Sequence, residues 1–138
     1  MSGHKRKILV VEDELDMRMF ITMVLSLNGY EPIVAKDGLE GFEKARTLTP
    51  DLILLDIMMP NQGGAAMFRK IKEDELLRRI PVCILSGVGL ETFLHHLKMV
   101  NLGRTEPLPG PEAYLEKPFH ERQLIQLIKR HVITPAAS

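Results

Sequence analysis

Residues 51–64 read DLILLDIMMPNQGG, an apolar run from Leu52 to Leu55 that ends on Asp56 and gives way to a segment punctuated by Pro60, Gly63 and Gly64. A run that is apolar throughout, without polar alternation, suits a strand covered on both faces. The same pattern recurs at Ile8 to Val11, Ile33 to Ala35 and Pro81 to Leu85, and more weakly at Ala113 to Leu115.

Helical period fills the intervals. Met17, Phe20, Ile21, Val24 and Leu25 share one helix face, which Asn28 and Gly29 would stop. Asp37 with Glu40 resembles a capping box ahead of Leu39, Phe42 and Ala45, and that helix has to finish before Pro50. Gly64 to Leu77, Leu90 to Val100 and Glu121 to His131 supply three more. Five β-α repeats with short links predict right-handed crossovers and a parallel sheet with helices on both faces. Ligands of such sheets bind outside the carboxyl ends of the strands.

The length of 138 residues fits one domain over 1–138, and the only long loop-like stretch, Gly103 to Glu112, lies too near the end to divide it. A 45% hydrophobic content excludes a disordered chain. Eighteen basic residues balance 18 acidic ones, so no bulk charge points to nucleic acid or to an anionic membrane. Cys83, the single cysteine, cannot form an internal disulfide and is expected to be a buried, inert thiol. With no secretory signal and no apolar stretch near the roughly 20 residues of a membrane span, a cytoplasmic, soluble protein is expected.

Four of the five strands are followed by polar groups that complement one another. Glu12 and Asp13 follow the first strand, Asp56 the third, Ser86 the fourth and Lys117 the fifth. Three carboxylates on one sheet edge repel each other, and a hard divalent cation such as Mg2+ is the remedy. Carboxylate, metal, ammonium and hydroxyl together are what phosphoryl transfer to an aspartate needs, because its catalysis is mostly positioning and charge neutralisation. Taken singly, each group is ordinary turn or helix-cap chemistry. Their coincidence at four strand ends is what carries weight.

Three segments, ILVVEDE at 8–14, DLILLDIMMPNQGG at 51–64 and YLEKPF at 114–119, resemble the signature regions of response-regulator receiver domains of two-component systems, including the chemotaxis regulators. The resemblance runs from about Lys7 to Val132. It implies a doubly wound (βα)5 flavodoxin-like α/β fold with strand order 2-1-3-4-5. It implies that Asp56 is the phosphoacceptor, taking its phosphoryl group from the phosphohistidine of a sensor histidine kinase or phosphotransfer protein. Asp13 resembles the direct carboxylate ligand of Mg2+, Glu12 its partner through water, and the backbone carbonyl of Met58 the third protein ligand. Lys117 resembles the lysine that pairs with the acceptor. Ser86 and Tyr114 resemble the hydroxyl and aromatic pair that carries the signal to a downstream protein target at the fourth helix and fifth strand.

Other functions fit less well. An aspartate-dependent phosphatase of similar architecture needs a second acid at position 58, which is Met58. The first β-α turn, EDELD, has no glycine to admit a pyrophosphate. Turnover of an external substrate is therefore not expected; neither is an output module after Val132. A pseudo-receiver, binding its partner unmodified, is the alternative.

One departure concerns spacing. Ser86 and Lys117 lie 117 − 86 = 31 positions apart, more than such domains usually place between these two residues. The excess is read as a neutral surface insertion, which loops tolerate cheaply, with a lengthened fourth helix as the other reading. His95 and His96 are adjacent on that helix and point about 100° apart, so they do not chelate one ion. The eight methionines are read as core filling.

Overall fold

A computed structural model describes residues 5–58 and 63–133. The elements, in chain order, are β1 (Lys7–Val11), α1 (Leu15–Leu27), β2 (Glu31–Ala35), α2 (Gly38–Leu48), β3 (Leu52–Asp56), α3 (Gly64–Glu73), β4 (Val82–Ser86), α4 (Leu90–Asn101), β5 (Ala113–Glu116) and α5 (Glu121–His131). The strands form one parallel sheet in the order β2-β1-β3-β4-β5, as the repeat pattern and the family resemblance imply.

Strand alternation divides the core in two. Leu9, Val11, Ile53, Leu55, Val82 and Ile84 face α2, α3 and α4, where Ala45, Met67, Ile71 and Phe93 meet them. Ile8, Val10, Leu52, Leu54, Cys83 and Leu85 face α1 and α5, against Ile21, Val24, Leu124 and Ile128. The unbroken apolar runs are thus explained by helices on both sides. Each fully buried Leu or Ile contributes about 1.5–3 kcal/mol, and all five residues of β3 are buried.

Helix ends follow local chemistry. Gly29, at φ +86°, turns the chain after α1, and Asn28 Nδ2 donates back to the Val24 carbonyl. The Asp37 carboxylate accepts from the Glu40 N–H at 2.9 Å, while Glu40 accepts from Lys36 rather than from Asp37 itself. The third helix is shorter than its period predicts. It stops at Glu73 because the Asp74 carboxylate accepts from the N–H groups of both Leu76 and Leu77, which starts a separate 3-10 turn over Leu77–Arg79.

One further expectation is corrected. Of the methionines described, only Met67 is fully buried, whereas Met19, Met23, Met58 and Met99 are exposed, so core filling explains few of them. The segment from Gly103 to Glu112 after α4 is mostly exposed, as a surface loop, and it is tied back to the fold at several points. The Asn101 side chain brackets the Leu108 backbone, accepting from its N–H at 2.8 Å and donating to its carbonyl. Leu108 is buried, Arg104 bridges to Glu73 on α3, and Glu112 pairs with Lys72. No helix among the described residues is long and apolar enough to cross a membrane.

Candidate functional site

Parallel register brings the polar strand ends to one edge. Val11 lies opposite Leu55, Asp56 opposite Leu85, and Ser86 opposite Glu116. Glu12, Asp13, Asp56, Ser86 and Lys117 therefore crowd the carboxyl end of the sheet, where β1 and β3 leave a crevice between helices on opposite faces.

Carboxylate oxygens of Glu12, Asp13 and Asp56 lie within 4.8 Å of one another. Glu12 and Asp56 are buried, and Asp13 is exposed. Lys117 Nζ donates to Glu12 at 2.8 Å and to Asp56 at 3.3 Å, so one ammonium serves both buried acids. Burial pushes the Glu12 carboxyl up to about 7; the Asp56 charge adds to the rise, while hydrogen bonds from Lys117 and the Glu14 N–H oppose it. For Lys117 burial acts downward, yet the hydrogen bond to Glu12 and the charges of Asp56 and Glu12 prevail and hold it above its ordinary value.

An oxygen-only acidic cluster with one exposed member fits a hard cation that keeps water ligands, such as Mg2+. Met58 stands at this edge with its N–H donating to Asp56 Oδ1 at 2.9 Å. Ser86 is fully buried, and its Oγ accepts from the Val88 N–H at 3.1 Å. The Tyr114 ring packs on Phe93, with centroids 5.6 Å apart, and its hydroxyl donates to the Val88 carbonyl. Ser86 and Tyr114 are thus joined through a single residue, Val88, on the loop after β4.

Sequence reasoning missed the roles of Arg18 and Gly64, and saw Val88 only as a residue flanking the acceptor. Arg18 Nη1 donates to the Glu12 carbonyl at 2.8 Å and fixes the turn after β1. Gly64 opens α3 so close to β3 that a Cβ there would sit 2.3 Å from the Asp56 carbonyl oxygen. The Gly63–Gly64 pair was the available signal for this approach. The link that Val88 makes gave no signal, because it runs through its backbone.

The response regulator receiver domain model matches residues 8–129. The chain belongs to this family. It is similar to the polar-differentiation response regulator DivK of Brucella ovis, with 33% identity over 92% of this chain and 96% of that protein. It is 35% identical to the phosphate regulon transcriptional regulatory protein PhoB of Escherichia coli over 90% of this chain. A match of 36% covers 88% of this chain in the hybrid signal transduction histidine kinase D of Dictyostelium discoideum. The chain spans half the length of PhoB and 7% of the hybrid kinase.

Among solved structures, the Vibrio cholerae chemotaxis protein CheY4 superposes on this receiver domain with a TM-score of 0.80 at 25% identity, covering 94% of this chain and 100% of that one. The receiver domain of the sensor histidine kinase PA1611 of Pseudomonas aeruginosa superposes at 0.79 and 26% identity, covering 93% and 98%. That domain holds a magnesium ion in its active-site cleft.

Proposed function

We propose that this receiver domain is phosphorylated on Asp56 and signals by a change of surface around Val88, Tyr114 and α4. The observation that carries the reading is the Lys117 ammonium held between Glu12 and Asp56 at a cluster of three carboxylates. In the reaction, an Asp56 carboxylate oxygen forms a bond to phosphorus as the N–P bond of a phosphohistidine breaks, and the imidazole leaves with that electron pair and takes up a proton. Lys117 neutralises the equatorial oxygens as charge moves onto Asp56.

Asp13, Glu12, Asp56 and the Met58 carbonyl would hold Mg2+, which supplies further neutralisation of the phosphoryl oxygens when bound. Ser86, which accepts from Val88, would donate its hydroxyl to the new phosphoryl oxygens and so loosen the loop that Tyr114 latches. The α4 and β5 surface presents that change to a downstream protein target.

The donor is a sensor histidine kinase or phosphotransfer protein. Leu15, Met19, Met23 and Leu27 form an exposed apolar row at four-residue spacing along α1, beginning two residues beyond Asp13. Rows of this spacing are the ridges that pack into another helix, which suits a helical donor presenting its histidine to Asp56. The reading places the protein in the cytoplasm, as a signalling module without turnover of external substrates.

Acetyl phosphate with Mg2+ tests it: the intact mass should gain one phosphoryl group. A protein that gains none, and whose NMR spectrum ignores Mg2+, would instead be a pseudo-receiver that binds its partner unmodified.

A further inference from the structure

At the opposite end of the sheet from Asp56 lies a second charged arrangement. The Lys72 side chain, on α3, is fully buried, and its ammonium contacts both Glu112 oxygens, at 3.0 and 3.2 Å. Its Nζ also stands 6.0 Å from the Phe68 ring centroid. Glu112 in turn grips one residue of β4 twice. Its N–H donates to the Val82 carbonyl at 2.9 Å, and its Oε1 accepts from the Val82 N–H at 2.7 Å. The carboxylate thereby supplies the acceptor that a longer β5 would have offered to the first residue of β4.

We propose that Lys72 and Glu112 are positioning residues for Lys117 and Tyr114, acting by fixing the register of β5; the inference rests on the phosphotransfer reading of the Asp56 edge. β5 is a four-residue edge strand, only partly buried, and it follows an eleven-residue connection from Leu102 to Glu112. Such a strand has weak means of choosing its own register. A slip of one residue would turn Tyr114 away from Phe93 and carry Lys117 off Asp56, because alternate side chains face opposite sides of the sheet.

With Glu112 pinned to Val82, the rest follows. Ala113 falls opposite Cys83, Tyr114 opposite Ile84, and Glu116 opposite Ser86, and the Lys117 N–H reaches the Ser86 carbonyl at 2.7 Å. Lys72 is buried while the Glu112 side chain is 37% exposed; an ion pair that buries a charge adds little net stability over an apolar pair of similar volume, and its well-attested use is to select one arrangement among several. Lys72 comes from α3, the helix that starts against Asp56, so the clamp refers β5 to the same helix that borders the acceptor.

The test compares the parent with Glu112→Gln and with the double variant Lys72→Met/Glu112→Leu, which leaves no charge buried and should remain cooperatively folded. Two readouts are taken: nuclear Overhauser contacts between β4 and β5, and the rate of phosphorylation by acetyl phosphate in Mg2+. Positioning predicts that the double variant keeps its unfolding midpoint yet loses the Ile84–Tyr114 contacts and is phosphorylated about tenfold more slowly or worse. Glu112→Gln keeps an Oε1 acceptor for the Val82 N–H and should shift the same signals less. The double variant folded, with the register contacts intact and a rate within about twofold of the parent, overturns the proposal, as does a rate loss that merely tracks lost stability. If the parent itself takes no phosphoryl group, the proposed function fails, and the cross-strand contacts alone decide whether the clamp sets the register.

Discussion

The Tyr114 hydroxyl donates to the carbonyl of Val88, the residue whose N–H is held by the Ser86 hydroxyl. One peptide segment after β4 is therefore tied at one end to a hydroxyl beside Asp56 and at the other to an aromatic ring on the α4 face. In the proposed switch, moving Ser86 toward a phosphoryl group would release the first tie, and a change in the second would alter what α4 shows.

Tyr114→Phe keeps the ring on Phe93 and removes only the bond to Val88. It should cost about 1 kcal/mol, the usual worth of one such bond, measured by urea unfolding. Amide NMR signals of Gly87 to Gly89 should shift, whereas those of β1 and β3 should not.

Lys117→Met takes the shared cation from Glu12 and Asp56. Phosphorylation by acetyl phosphate should fall by about a hundredfold or more, the scale of losing one preorganised charge partner of a transition state. Mg2+ binding should persist, because the carboxylate ligands remain and a competing positive charge is gone. A rate measurement alongside a Mg2+ titration separates the two effects.

Glu12 gives the pH dependence. Folding raises its carboxyl from 4.5 to about 7, so its contribution to stability is complete below 4.5 and is lost as pH rises through about 7. Metal binding runs the other way, since a cation has to displace that proton. Mg2+ affinity should be about tenfold weaker at pH 6 than at pH 8, and Glu12→Gln should flatten the profile in an NMR titration.

Gly64→Ala places a Cβ 2.3 Å from the Asp56 carbonyl oxygen and 2.8 Å from Ile57 Cα, both backbone atoms that cannot yield. Overpacking of this kind costs about 1–3 kcal/mol, readable in thermal unfolding, and the displaced β3 end should slow phosphorylation as well.

The repeating pattern and the edge chemistry were legible because both are local. An apolar run marks a doubly covered strand, and the residue that ends it lands at the sheet edge whatever the loops do, so Glu12, Asp13, Asp56, Ser86 and Lys117 could be gathered without coordinates. What escaped depends on distant partners or on backbone. Lys72 reads as one more charge on a helix until Glu112, 40 positions away, is folded against it. Asp74 ended α3 early through a carboxylate turn that the hydrophobic period does not register. The segment from Gly103 to Glu112 looked expendable because its ties to Asn101, Glu73 and Lys72 are tertiary.

Asp56 itself is proposed to take the phosphoryl group. Treatment with acetyl phosphate and Mg2+, followed by borohydride reduction of the acyl phosphate and peptide mass spectrometry, locates the modified residue directly. Reduction is expected at Asp56 alone, and is abolished in Asp56→Asn. Labelling at Asp13 or Glu12 in the unaltered protein, or undiminished phosphorylation of Asp56→Asn, would contradict it.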